Sequence, residues 1–110
     1  MSALRSSATI VVLVTCPTAA QARRMAAVLV QRRVAACVNI LPGVRSLFWW
    51  RGKVDQARET LLLIKTTRRR FEPLRRLISR LHPYDVPEII ALPIQRGHAP
   101  YLTWVRDSVE

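Results

Sequence analysis

The stretch Ala35-Ala36-Cys37-Val38-Asn39-Ile40-Leu41-Pro42-Gly43-Val44-Arg45-Ser46-Leu47-Phe48-Trp49-Trp50-Arg51-Gly52-Lys53 decides the fold. β-branched and aromatic residues run through it, Pro42-Gly43 interrupts it, and Arg51-Gly52 closes it before Lys53. Such a run reads as one long strand, bent where proline withholds its amide and glycine relaxes the backbone, and ending in a tight hairpin turn. A polar segment from Asp55 to Glu59 then leads into Leu61-Leu62-Leu63-Ile64, the apolar part of the returning strand.

Outward from this hairpin, the elements follow from periodicity. Ile10-Val11-Val12-Leu13-Val14 is apolar throughout, as a central strand covered on its faces would be. Ala22, Met25, Ala26, Leu29 and Val30 recur at helical spacing after Pro17-Thr18. Phe71, Leu74, Leu77, Ile78 and Leu81 do the same, with Pro73 tolerable in the first turn and Arg75, Arg76 and Arg80 opposite. Glu88 to Ile94 reads as a buried strand, and Pro100 opens a last helix burying Tyr101, Leu102, Val105 and Val109. The order β-α-β-β-α-β plus a helix predicts an α+β domain: a ferredoxin-like four-stranded antiparallel sheet, helices on one face, an extended β-hairpin and a C-terminal helix. Residues 1–110 form one domain, with a flexible tail expected over residues 1–8.

Composition narrows the function. The chain has 110 residues and a net charge of +11, and only Lys53 and Lys65 among its 18 basic residues are lysines. These arginines are scattered over predicted outer helix faces, so a solvated basic surface is expected, with nucleic acid held by no more than weak electrostatic contact. No apolar run approaches the ~20 residues of a membrane span, and the five apolar residues Ile10 to Val14 suit a strand better than a signal core. Two cysteines make no disulfide framework, which points to free thiols and a cytoplasmic protein. Catalytic signatures such as His-Glu-x-x-His, a phosphate loop or a glycine-rich dinucleotide turn are missing, and turnover is not expected.

The connector His82-Pro83-Tyr84-Asp85-Val86-Pro87-Glu88 concentrates rigid polar chemistry, because each proline restricts itself and the residue before it. Strands running from about Ala35 to Thr66 outreach helices of roughly 12 to 15 residues, so the hairpin should project with Phe48, Trp49 and Trp50 at its tip. Exposed aromatics there favour homo-oligomerisation by sheet extension, the alternative being that they fold back on their own domain. If a neighbour's hairpin crosses the connector, Trp50, Lys65, Tyr84, Asp85 and Glu88 would line an intersubunit cleft with charges of both signs. For His82 the residues suggest a bond to a backbone carbonyl at a helix end, and for Glu88 a salt bridge to Lys65 or an arginine stands beside ligand binding. Cys37, in an apolar strand, reads as a small buried hydrophobe.

Several ordered motifs carry a resemblance. Ala35-Ala36-Cys37-Val38-Asn39, Pro42-Gly43-Val44, Ser46, Trp50-Arg51-Gly52-Lys53, Ile64-Lys65-Thr66, His82-Pro83-Tyr84, Pro87-Glu88-Ile89 and Tyr101-Leu102-Thr103-Trp104 are similar to the CutA divalent-cation tolerance family, from about Ile10 to Val105. That resemblance implies a ferredoxin-like subunit in a homotrimer, with an architecture like that of the PII signalling proteins, and a role in the response to divalent metal ions. It also implies copper binding, with Cys16 and His82 as the metal ligands, a thiol and imidazole pair suited to a soft metal. Two alternatives remain: a PII-like trimeric signalling or scaffold protein holding a small anion or metabolite in the cleft, and a basic RNA-binding module. The last is less favoured, since the central strand runs Ile10–Val14 and Leu61–Ile64 offer no aromatic for base stacking.

Overall fold

The computed structural model describes residues 7–110. Its elements are β1 (Thr9–Cys16), α1 (Ala19–Gln31), β2 (Cys37–Trp50), β3 (Lys53–Thr67), a 3-10 turn (Arg68–Arg70), α2 (Phe71–Leu81), β4 (Ile89–Pro93) and α3 (Ala99–Ser108). The strands form one antiparallel sheet in the order β2-β3-β1-β4. Most of the expected tail, residues 1–6, lies outside the described residues; the Ala8 carbonyl accepts the Arg68 N–H at 2.9 Å.

Local chemistry sets each boundary. Thr18, in extended backbone, starts α1 by accepting the Gln21 N–H at 3.1 Å. The buried stripe of α1 is Ala22, Met25, Ala26 and Leu29; that of α2 is Leu74, Leu77 and Ile78. Both helices cover the same sheet face, onto which Val12, Val14, Leu62 and Ile64 project, and none of these four strand residues is exposed. Each such side chain removed from water contributes roughly 1.5–3 kcal/mol. Val30 and Leu81, expected in these stripes, sit at the last turns of their helices and are exposed.

The opposite face is the informative one. Register pairs Val11 with Lys65 and Leu92, Leu13 with Leu63 and Ile90, and Leu41 with Leu61, all pointing away from α1 and α2. α3 crosses this face at one end only, where Val105 and Val109 pack on Ala36 and Tyr101 lies beside Cys37. The expectation of a buried last strand is therefore corrected: Ile90 and Leu92 of β4 are 49% and 50% exposed, because no described part of the chain covers them. Tyr101 likewise stays exposed.

β2 and β3 pair from Cys37↔Lys65 to Trp50↔Lys53, with a bulge between Leu41 and Val44 where Gly43 takes φ +79°. Arg51 and Gly52 both have positive φ, as a two-residue type I′ turn requires. The hairpin outruns the helical layer and stretches the molecule to 44 × 25 × 24 Å. Its tip does not fold back: Trp49 is 76% exposed, and Leu47, Trp50 and Val54 are also open to solvent.

Candidate functional site

α2 stops at His82, whose N–H closes the last turn on the Ile78 carbonyl at 2.8 Å. Pro83 then holds His82 in extended backbone, and the imidazole turns inward. Its Nε2–H donates to the Thr15 carbonyl at 2.7 Å, and its Nδ1 accepts the Tyr84 N–H at 3.1 Å. These partners assign a neutral ring protonated at Nε2. The Tyr84 ring packs on the imidazole at 4.8 Å, and its hydroxyl donates to Glu59 Oε2 at 3.1 Å. One short segment thus fastens the end of β1, the end of α2 and the middle of β3 together.

Glu59 is the buried carboxylate of this site, and it escapes a reading of the sequence because it closes the polar run from Asp55. Its signal lies in register: it pairs with Val44 just past the bulge, where the ladder re-enters the body of the domain. Burial raises the Tyr84 phenol above its ordinary pKa, and the hydrogen bond and charge of Glu59 add to the shift. Cys16, opposite Thr60, is fully buried, and burial, then the Glu59 charge, pushes its thiol up to about 11.

The expected metal pair can be tested on this geometry. Soft-metal ligation by this pair needs a free imidazole lone pair, whereas both nitrogens of His82 are engaged, and Cys16 is fully buried. Among the described residues no group of three His, Cys, Asp or Glu side chains gathers around a point that could hold a metal. As the chain stands, the carbonyl-bonded reading of His82 is the one its hydrogen bonds carry.

The cleft residues separate into three places. Tyr84, Asp85 and Glu88 share the connector, where Asp85 and Glu88 are exposed. Lys65 instead donates to Asn39 Oδ1 and lies 3.8 Å from the half-buried Cys37 Sγ, so the Glu88–Lys65 salt bridge does not form. The ion pair among the described residues is Arg75–Glu72 at 2.9 Å. Trp50 stands at the hairpin tip under the Arg51 guanidinium, 5.4 Å from the ring centre. Lys65 and the tip lie about 40 Å apart at ~3.3 Å of rise per residue along β3, so one chain cannot close the cleft.

Residues 10–108 match the family described as CutA1 divalent ion tolerance protein. The "Divalent-cation tolerance protein CutA" of Thermus thermophilus is 50% identical over 98 residues, covering 89% of this chain and 95% of that protein. Human "Protein CutA" is 42% identical over 97 residues, covering 88% of this chain; the chain spans about half (54%) of the human protein. Among solved structures, the divalent cation tolerance protein of Thermus thermophilus superposes with a TM-score of 0.91 at 48% identity, covering 93% of this chain and 99% of that one. CutA1 from Oryza sativa gives 0.91 at 43% identity, covering 96% and 98%. An Archaeoglobus fulgidus neighbour, with a TM-score of 0.90 at 37% identity and covering 93% and 99%, is described as periplasmic.

Proposed function

The chain belongs to the CutA1 divalent ion tolerance family, and on that footing we propose that it serves divalent-cation tolerance as a homotrimer, through binding and assembly and without turnover. The uncovered sheet face carries this reading. Leu41, Ile90 and Leu92 on that face, with Phe48 and Trp50 on the same side of the projecting hairpin, make an apolar surface that a lone chain leaves in water. A neighbour's sheet would bury it, and its hairpin would bring Trp50 toward another subunit's Tyr84, Asp85 and Glu88. A cleft completed this way holds two carboxylates, Asp85 and Glu88, without ion-pair partners among the described residues, and so offers hard oxygen donors that Cys16 and His82 do not supply. Two free thiols suit a reducing compartment, the cytoplasm.

Sedimentation at micromolar concentration is the test of assembly. A particle three times the 12.6 kDa chain is expected, and a monomer would overturn the reading. Copper(II) titrated into the reduced protein should bind with the same stoichiometry in the parent, Cys16→Ser and His82→Ala proteins; loss of a site in both variants would restore the thiol and imidazole pair as ligands.

A further inference from the structure

We propose that the end of the domain remote from the hairpin tip carries a binding site for the phosphate group of a small soluble ligand, between the 3-10 turn and α3. This site lies at the opposite end of β1 from the connector and rests on neither the trimer nor the metal reading.

Thr67 ends β3 there and is only 4% exposed. Its hydroxyl does not cap the turn that follows and makes no hydrogen bond to any described residue. The adjacent buried Thr66, by contrast, donates to the Val34 carbonyl at 2.8 Å. Among the described residues no fully buried side-chain oxygen lacks a partner, so the Thr67 hydroxyl keeps some exposure, and Thr67 is one of the residues that line a small cleft. Hydroxyls of residues this buried are usually bonded, and one left over at a cleft wall points to something that enters the cleft. Ser7, Arg69, Arg106, Val109 and Glu110 complete the lining around Thr67.

The charges at this cleft favour an anion. Arg69 is exposed and makes no hydrogen bond or ion pair with a described residue. Arg106 spends one nitrogen on Thr103 Oγ1 at 3.3 Å and keeps its other donors. Two further guanidiniums are fixed nearby, because Arg33 donates to the Ser108 carbonyl at 3.3 Å and Arg70 to that of Val109. These two bonds satisfy the last carbonyls of α3 and offset the negative end of its dipole, which would otherwise repel an anion. Planar guanidinium forks with a hydroxyl donor match the oxygens of a tetrahedral phosphate, and the cleft lining sets Arg69 and Arg106 against one acidic side chain, Glu110. Glu110 then acts as a competitor that a bound phosphate must displace.

Calorimetric titration of inorganic phosphate and pyrophosphate into the full chain at neutral pH and low chloride tests the site. Saturable binding is expected, weakened about tenfold by Arg69→Gln or Arg106→Gln and about threefold by Thr67→Val, and tightened by Glu110→Gln. Arg24→Gln removes the same charge from the outer side of α1 and should leave affinity within about twofold, since diffuse attraction alone is weak. No saturable heat at millimolar phosphate, or equal weakening by Arg24→Gln and Arg69→Gln, would overturn the proposal. Should Thr67→Val fail to fold, the exposed Arg69 decides the matter, because its replacement leaves the core untouched.

Discussion

Replacing His82 by alanine separates the two roles this residue can play. The imidazole is 7% exposed and holds two backbone groups, the Thr15 carbonyl at 2.7 Å and the Tyr84 N–H at 3.1 Å. Losing each bond costs about 1 kcal/mol net, and a carbonyl left buried and unpaired costs about 1–3 kcal/mol. His82→Ala should therefore destabilise each chain by about 2–4 kcal/mol, a large part of a typical total of about 5–15 kcal/mol. His82→Gln, whose amide can still donate to the Thr15 carbonyl, should recover about half of that loss. Guanidinium denaturation followed by tryptophan fluorescence measures both variants, at several protein concentrations because assembly couples to folding. An alanine variant as stable as the parent, or a glutamine variant no better than alanine, would refute the fastening role.

Other outcomes follow from the same geometry. Tyr84→Phe strips the buried Glu59 of its hydroxyl donor and should cost about 1–3 kcal/mol, read as a lower melting temperature; an unchanged melt would mean Glu59 needs no such partner. The Cys16 thiol is raised from 9.0 to about 11, so the stability tied to its protonated form is complete below pH 9 and is lost as pH rises through about 11. Denaturation between pH 9 and 11 should show the parent losing about 2 kcal/mol more than Cys16→Ala, and parallel curves would contradict that origin. Leu92→Asp places a charge on the uncovered face of β4 without entering the core. It should shift sedimentation to a monomer while far-ultraviolet circular dichroism is kept; an intact assembly would remove that face from the interface.

Most of the fold was legible because its signals are local. Phe71–Leu81 announces itself through helical spacing, and Arg51-Gly52 between two extended runs announces the hairpin turn. Burial was harder to read: Ile89–Pro93 has the composition of an inner strand, yet composition cannot say that one chain leaves that face uncovered. At the site, His82 could be placed at a helix end, but its partner Thr15 is 67 residues away in sequence and emerges only when β1 ends beside α2. Glu59 carries no local mark, since its burial depends on the connector laying Tyr84 over it. Trp50 and Lys65 were grouped with that connector through an assumed crossing of subunits, and within one chain they stand at opposite ends of the hairpin.

The bulge at Pro42-Gly43 works as a phase shifter. Before it, Cys37, Asn39 and Leu41 share the uncovered face; after it, Val44, Ser46, Phe48 and Trp50 do, because β2 advances three residues from Leu41 to Val44 while β3 advances two from Leu61 to Glu59. Deleting one residue there would let the ladder run on without a bulge, with Phe48 still opposite Asp55 and Trp50 still opposite Lys53, but it would remove the local bend and added twist with which the hairpin leaves the domain. The course of the hairpin is thus set at a spot with room for a side chain but not the backbone for one: at φ +79° Gly43 holds a conformation that other residues rarely adopt, so the bend depends on glycine itself.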